Sequence, residues 1–525
     1  MSEIVKELEG LETKKKKSKG EEQADLILAL LGKPLLFHDQ HDTPYIRIKQ
    51  QEVNVTIPVK SRRFRTWIAN LLYTKTGGIP DSRILRDVGR ILQGKALFEG
   101  EGYRLYNRVA PAEDGFWIDM ADIKWRAIKV TGEGWEIVDD PPILFRRYSH
   151  QKPLPTPKRN GNPWKLLKYV NMEDKATQLV LLVAVVSSLI PDIPHVILVF
   201  YGIQGSGKTT VFKLIRSLVD PSAIEVLSMP REERERVQQL DHHWCAYYDN
   251  ISSLSNSMSD TLCRAATGGG FSKRELYTDD EDVIYNFKRC LGLSGINIAA
   301  QRGDLLDRSL LVGLKDISVG KRKTEKELFQ EFDEDKGEIL GGFLDTLVKA
   351  IRFYPQVNTP KLFRMADFTR WGCAITMALG KTEEDFLNAY ELKVKRQIEE
   401  AALQSPVANV LMSYMKLQTE WEGTPNQLYI ILREHADVIG VSRRQKHWPK
   451  APHALTRQLN ELTPSLAQLG YHVETGIRTK EGRRIRITRK SVNSDKSDNQ
   501  HNIQHPSDDA IDAVDTIFPS SSLQT

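Results

Sequence analysis

The sequence lacks the cysteine pairs and the long apolar runs that mark disulfide-rich, zinc-binding or membrane-spanning proteins. Its 525 residues include four widely spaced cysteines with no C-x-x-C pair: Cys245, Cys263, Cys290 and Cys373. Such spacing argues against a disulfide framework or a zinc site and favours a reducing compartment. The most apolar run, residues 181–190, is too short to cross a bilayer and predicts a buried helix. Because the start of the chain has no apolar signal-peptide core, we expect a cytoplasmic protein with no membrane partner.

Neither sign of charge is in large excess. The formal net charge is +5, with 27% charged and 40% hydrophobic residues, which is ordinary for a globular protein. Any argument for nucleic-acid binding must therefore come from local clusters of charge and not from the total. The chain is too long to fold around a single hydrophobic core, and its length suggests about three domains.

The most specific pattern is a glycine-rich segment that follows an apolar, β-branched run at residues 195–201. It fits G-x-x-x-x-G-K-[ST], the phosphate-binding loop, in which glycines let backbone N–H groups close around phosphate oxygens. Lys208 is expected to contact the β- and γ-phosphates and Thr209 to bind Mg²⁺. The segment predicts a Mg²⁺–ATP site formed by Gly202, Ile203, Gln204, Gly205, Ser206, Gly207, Lys208, Thr209 and Thr210.

An acidic residue follows the next apolar stretch. Asp249 directly follows the apolar residues 243–248. This is the position at which an ATPase places the carboxylate that holds Mg²⁺ opposite the loop hydroxyl. A surface Asp-Asn turn is the alternative. The next residue is Asn250, where many such ATPases carry Glu, and an amide cannot act as a general base. The catalytic base is therefore left open.

Two further residues are candidates for contact with the γ-phosphate. Asn297 follows the apolar stretch that begins at residue 290, where its amide would orient the attacking water. Arg308 lies just before another apolar stretch, where its guanidinium would act as an arginine finger. An ion pair between Asp307 and Arg308 is the alternative interpretation.

Basic residues lie in two places that suit DNA. Lys273, Arg274 and Tyr277 follow a glycine hinge, and cations beside an aromatic ring suit contact with single-stranded DNA. An ordinary hairpin with solvated cations is an equal alternative. Further along, two helices and a β-ribbon over residues 421–490 follow the winged-helix order. There we expect duplex or fork contacts from Arg457, Arg484 and Arg486, the alternative being a packing domain with a solvated basic face.

The order of these motifs resembles superfamily 3 helicases of the AAA+ class. It is most similar to primase–helicase ATPases of poxvirus and phage type and their relatives on mobile elements. The resemblance covers about residues 190–315. It implies a homo-hexameric ring in which hairpins line the pore and Arg308 acts on the ATP of the neighbouring subunit. It does not extend to priming, because no set of primase carboxylates precedes the ATPase region.

The predicted fold is therefore α/β, with a P-loop AAA+ ATPase core between an α+β N-terminal domain and a C-terminal winged helix. We expect an ATP-dependent DNA helicase or translocase that replicates a mobile element, plasmid or phage. The alternative is a DNA-bound ATP switch, an initiator or loader that does not unwind; a P-loop kinase is weaker still. The predicted segments are a disordered tail 1–24, the N-terminal domain 25–150, a proline-rich linker 151–164, the ATPase domain 165–355, a helical connector 356–420, the winged helix 421–490 and a disordered tail 491–525.

Overall fold

The computed structural model describes residues 18–172, 174–274, 282–295, 303–317, 320, 322–359, 361–443, 448–480 and 482–489. The chain divides into two compact units between Ala401 and Ala402. No helix in these ranges is both long enough and apolar enough to cross a membrane.

In the first part of unit 1, from residue 18 onwards, three helices pack on a four-stranded sheet in the order β3-β2-β1-β4. The first of these described helices begins inside the segment predicted to be a disordered tail, which corrects that boundary. Ser18 caps it in a capping box with Glu21, and Ile27 is buried. The elements are α1 (Lys19–Leu31), β1 (Leu35–His38), β2 (Pro44–Gln50), β3 (Val53–Pro58), α2 (Arg62–Thr76), α3 (Ser82–Phe98) and β4 (Glu101–Gly102).

An antiparallel four-stranded meander follows, in the order β5-β6-β7-β8. Arg108, just before this meander, has a φ of 66° and its side chain turns into the core. The strands are β5 (Val109–Ala112), β6 (Gly115–Asp119), β7 (Ala127–Thr131) and β8 (Trp135–Val138).

The proline-rich segment after the meander is irregular but packed. Leu154 is buried, the Lys158 N–H donates to the Gly337 carbonyl at 2.8 Å, and the Gly161 N–H donates to Asp345 Oδ2 at 3.1 Å. A short 3₁₀ helix, Pro163–Tyr169, ends it. The segment thus packs against the core, whereas its composition predicted a stiff linker at a domain boundary.

The centre of unit 1 is a parallel sheet in the order β10-β13-β9-β14, with buried strands. Its strands are β9 (Ile197–Tyr201), β10 (Cys245–Tyr248), β13 (Cys290–Gly295) and β14 (Ser309–Gly313). An antiparallel hairpin, β11 (Gly269–Arg274) and β12 (Asp282–Phe287), branches from it. The helices of this region are α4 (Lys175–Ser187), α5 (Lys208–Val219), α6 (Glu233–His242), α7 (Asn256–Thr267) and α8 (Gly303–Leu306).

Long helices complete unit 1. The buried helix predicted from the apolar run at 181–190 is confirmed for residues 181–187, which form the end of α4, and residues 188–190 follow it and are also buried. The four cysteines are buried and free. The 29-residue α9 packs on α10 and on the 3₁₀ helix. The remaining helices are α9 (Glu325–Phe353), α10 (Ala366–Ala378) and α11 (Glu383–Gln404), and the boundary between the two units falls within α11.

The described residues of unit 2 form three complete helices and a three-stranded antiparallel sheet in the order β15-β17-β16. Its core takes in Val407 and Leu411, so its first helix lies in the segment predicted to be a connector. The sequence also did not reveal β15, a strand of only four residues. The elements are α12 (Pro406–Met415), β15 (Glu420–Gly423), α13 (Pro425–Val438), α14 (Pro452–Gln468), β16 (Tyr471–Thr479) and β17 (Gly482–Arg489).

Candidate nucleotide site

The glycine-rich loop lies between the carboxyl end of β9 and the first turn of α5, as its sequence predicts. Gly205 and Gly207 both have a φ of 84°, a conformation that favours glycine. A Cβ on Gly202 would lie 2.7 Å from the Leu314 carbonyl oxygen, so a side chain there would force the backbone apart. The loop therefore presents backbone N–H groups beside a helix N-terminus, the usual cradle for phosphate.

The Lys208 ammonium is held inside this loop. Its Nζ donates to the carbonyls of Gly202 at 2.9 Å and Ile203 at 2.8 Å, and to Ser206 Oγ at 3.3 Å. Burial lowers the pKa of Lys208, and the charge of Asp249 opposes that shift. The cation thus lies at the loop itself, where phosphate oxygens would replace the carbonyls as its partners.

The predicted metal pair is in direct contact. Thr209 Oγ1 donates to Asp249 Oδ2 at 2.7 Å, although the two residues are separated by 40 positions. Asp249 follows β10, and the carboxyl ends of parallel strands meet at one edge of the sheet. Mg²⁺ in nucleotide sites is commonly held by one carboxylate, one hydroxyl and the phosphates, so these two residues fit the ion.

Ser294, which the sequence analysis did not single out, orients this carboxylate. Its fully buried hydroxyl on β13 donates to Asp249 Oδ1, which also accepts the Asn250 N–H at 2.8 Å. Hydrogen bonds to both oxygens hold the Asp249 carboxylate in one orientation. The feature of the sequence that could have identified Ser294 is a polar residue near the carboxyl end of an otherwise apolar strand.

Asn250 lies where a glutamate base would be expected. It is exposed and has a φ of 57°, which an Asn tolerates better than most side chains. Its amide can orient a water molecule but cannot take a proton.

Arg322 is a second residue that the sequence analysis missed. Its Nη2 lies 4.0 Å from the position that a Cβ on Gly205 would occupy. The guanidinium is half exposed, and it donates to the Ile317 carbonyl at 3.0 Å and lies 3.6 Å from Asp316. A cation therefore stands beside the phosphate loop on the same chain.

The predicted arginine finger, Arg308, lies at the opposite edge of the sheet. The parallel register pairs Ser309 with Ile197 and Gly313 with Tyr201. Arg308 therefore lies at the start of β14, whereas the phosphate loop lies beyond the end of β9. At about 3.3 Å per residue, the two edges are roughly 13 Å apart. Arg308 is mostly buried and pairs with Asp304, not with Asp307 as the alternative interpretation proposed. It therefore cannot contact a phosphate held by its own loop.

Several predicted contacts are only partly described. The hairpin that carries Lys273 and Arg274 is confirmed as an antiparallel pair, with Arg274 opposite Asp282. Tyr277 and Asn297 lie outside the described residues. Their roles stay predictions.

The predicted DNA contacts of unit 2 differ in their surroundings. Arg457 is exposed on α14 and, within the described ranges, forms no ion pair. Arg484 and Arg486 both reach Glu422 on β15, at 3.3 and 2.8 Å. The hydrogen bond from Arg486 lowers the pKa of Glu422. These two arginines are thus partly neutralised, so Arg457 is the stronger candidate of the three.

A buried ionic network supports the far end of the loop helix. Arg108 Nε donates to Asp220 Oδ1 at 2.9 Å, and both side chains are fully buried. Arg216 Nη2 lies 2.7 Å from His243 Nδ1. Although burial opposes ionisation, Arg108 and Arg216 hold the pKa of Asp220 below its usual range. The meander is thereby fixed to α5, which begins at the phosphate loop.

Together these features bring a glycine-rich loop, a lysine ammonium and a hydroxyl–carboxylate pair to one edge of a parallel sheet. Residues 164–394 match the family described as the actinomycete integrative conjugative element replication protein, and residues 407–501 match the AICE RepA C-terminal domain. Both matches are to replication proteins of integrative conjugative elements, which confirms the prediction of a mobile-element replication protein.

Solved structures of the NrS-1 C-terminal region are also similar to the chain. An apo A form is 12% identical, with a TM-score of 0.38, covering 89% of this chain and 98% of that chain. Another is 13% identical, with a TM-score of 0.38, covering 91% and 100%. No curated protein matches the chain.

Proposed function

We propose that this chain is an ATP-dependent DNA helicase or translocase, similar to superfamily 3, that acts in the replication of an integrative conjugative element. The observation that carries the proposal is the 2.7 Å contact between Thr209 and Asp249 at the carboxyl edge of a parallel sheet. It joins the two halves of a Mg²⁺–ATP site that lie far apart in the sequence. The family matches supply the setting of DNA replication.

In this proposal each residue of the site has a separate role. Lys208 and Arg322 stabilise the charge of the γ-phosphoryl group from the same chain. Thr209 and Asp249 hold Mg²⁺, which neutralises the phosphates, and Ser294 keeps the carboxylate in place. Asn297 orients the attacking water.

The position of Arg308 favours a ring, because only another copy of the chain could bring this residue to the phosphates. We propose a homo-hexamer of AAA+ type in which Arg308 completes the neighbour's site. Mixing two inactive variants, Lys208→Ala and Arg308→Ala, tests this directly. In a head-to-tail ring, random mixing in equal amounts restores about a quarter of the sites, since each site draws on two subunits. A mixture that stays inactive, although both variants assemble, argues against shared sites.

Unit 2 supports DNA contact. Its order of helix, short strand, two helices and a β-ribbon is that of a winged helix, with α14 as the recognition helix. The exposed Arg457 would contact a backbone phosphate of duplex or forked DNA.

The second candidate is an ATP-controlled switch that binds DNA without unwinding it. Asn250 favours this candidate, because a site without a carboxylate base next to Asp249 suits slow turnover. A switch would hydrolyse ATP at the same rate with and without DNA.

The deciding experiment measures ATP hydrolysis with and without single-stranded DNA in the wild type, Lys208→Ala and the double variant Lys273→Ala/Arg274→Ala. We expect DNA to raise the wild-type rate, Lys208→Ala to abolish hydrolysis, and the double variant to keep only the basal rate. Strand displacement on a forked duplex follows if this result is obtained.

Two matched controls distinguish these specific effects from the general effect of removing a positive charge. Lys213→Ala removes a cation from the same helix as Lys208, but Lys213 contacts Glu325 at 2.6 Å and not the loop. Lys288→Ala removes a cation from the base of the hairpin, where it donates to the Asp192 carbonyl. If wild-type hydrolysis does not respond to DNA, the helicase proposal fails and the switch replaces it.

A further inference from the structure

The N-terminal part of unit 1 carries a groove that the nucleotide site does not use. The groove has a volume of about 550 Å³ and lies between the end of β2 and one face of α2. Its lining residues are Gln50, Arg62, Arg63, Thr66, Trp67 and Asn70. It lies outside both segments that match the replication-protein families, which begin at residue 164.

The charge of α2 is unbalanced. Among its 15 residues are Arg62, Arg63, Arg65 and Lys75, and none is acidic. Arg62 and Arg63 are exposed and, within the described residues, form no ion pair or hydrogen bond. Both occupy the first turn, where the helix dipole disfavours cations. They therefore do not stabilise the helix, and their charge is available to an external anion.

The aromatic member of the groove is held rigidly. Trp67 is half buried and packs on the core beside Phe64, with ring centroids 6.2 Å apart and planes at 24°. Arg63, Trp67 and Asn70 share one helix face because they are spaced four and three residues apart. The groove thus combines one fixed indole ring, two free guanidinium groups and two side-chain amides.

We propose that this groove binds single-stranded DNA. One base stacks on the exposed part of Trp67, Arg62 and Arg63 contact the adjoining phosphates, and Asn70 and Gln50 contact the base edge. Aromatic stacking platforms beside cations are the usual means of holding an unpaired strand with little sequence preference. Arginine suits the phosphate role because its planar guanidinium donates two parallel hydrogen bonds. The proposal is independent of ATP binding and of the pore hairpin.

The test uses the full chain without nucleotide and follows the anisotropy of a labelled 20-nucleotide oligo-dT over a range of salt concentrations. Arg62→Ala/Arg63→Ala should weaken binding and lower the slope of log K against log salt by about 1.4, the value for two single-strand phosphates. Trp67→Leu should weaken binding roughly 5- to 150-fold without changing the slope, and Trp67→Phe should keep most of the affinity.

The matched control is Arg83→Ala/Arg86→Ala, which removes two exposed cations from the neighbouring helix α3 and leaves the groove intact. The proposal is overturned if the control lowers affinity and slope as much as the groove variant does, or if the groove variant changes neither. Since Arg62 and Arg63 are exposed, their variant tests the proposal even if Trp67→Leu fails to fold. Basal ATP hydrolysis should be the same in all groove variants, so failure here leaves the proposed motor untouched.

Discussion

Replacing Ser294 by alanine tests whether the orientation of the Asp249 carboxylate matters for ATP hydrolysis. The carboxylate accepts three hydrogen bonds, from Thr209 Oγ1, the Asn250 N–H and the Ser294 hydroxyl. Ser294 is fully buried, and in Ser294→Ala the Asn250 N–H is left as the protein donor to Asp249 Oδ1 within the described residues. The variant therefore removes one of the two bonds to Oδ1 and leaves the phosphate loop unchanged.

The expected size follows from the kind of bond that is lost. A hydrogen bond to a charged group contributes about 1.5–3 kcal/mol. If this loss appears fully in the hydrolysis step, kcat falls roughly 10- to 150-fold. Nucleotide affinity without metal should change little, because in the proposed site the backbone N–H groups and Lys208 would bind the phosphates. The apparent affinity for Mg²⁺ should fall together with kcat.

The assay is steady-state ATP hydrolysis titrated with Mg²⁺, alongside binding of a fluorescent nucleotide in EDTA. Ser309→Ala is the matched control, since Ser309 is also a buried serine of the same sheet and donates to the Leu305 carbonyl at 2.7 Å. It lies at the opposite edge and should lower stability without a specific effect on Mg²⁺. The positioning role is refuted if Ser294→Ala keeps the wild-type kcat. It is also refuted if Ser309→Ala lowers kcat and the apparent Mg²⁺ affinity as much as Ser294→Ala does.

Three further outcomes are expected. Arg322→Ala should lower kcat at least tenfold with nucleotide binding largely kept, and unchanged kcat would show that it has no catalytic role. His195 and His243 are buried with pKa values of about 3, against 6.5 for the free side chain. Since folding lowers the pKa of each histidine, the free energy of unfolding falls as the pH falls below 6.5, by about 2 kcal/mol per histidine at pH 5. A melting temperature that stays constant from pH 7 to pH 5 would contradict this. Asp220→Asn should lower unfolding stability by about 3–5 kcal/mol, because Arg108 is left buried without its counter-charge, and urea unfolding of the variant measures it.

The parts of the site that depend on neighbouring residues could be predicted from the sequence. A glycine-rich loop followed by Lys208 and Thr209 has its chemistry within eight residues, and the buried strand before it fixes where it lies. Asp249 could be predicted because it ends an apolar strand, and strand ends in parallel sheets converge. Here a local pattern and one topological rule sufficed.

Other parts could not be predicted, because long-range contacts determine them. Ser294 is one polar residue in an apolar strand, and only the pairing of β13 with β10 brings it to Asp249. Arg322 lies beside Gly205 through the return of the chain after β14, which no periodicity reveals. Arg108 turns into the core because its charge pairs with Asp220, 112 residues away.

The position of Arg308 shows how strand order divides a set of motifs that the sequence presents as one. Residues that follow parallel strands share one edge of the sheet, and residues that precede them share the other. Lys208 and Asp249 follow β9 and β10, whereas Arg308 precedes β14. An arginine that served its own site would have to follow a strand or reach the loop from elsewhere in the fold, as Arg322 does. In the proposed ring, Arg322 would therefore contact the phosphates bound by its own chain and Arg308 those bound by a neighbour, so each site would be complete only between two copies.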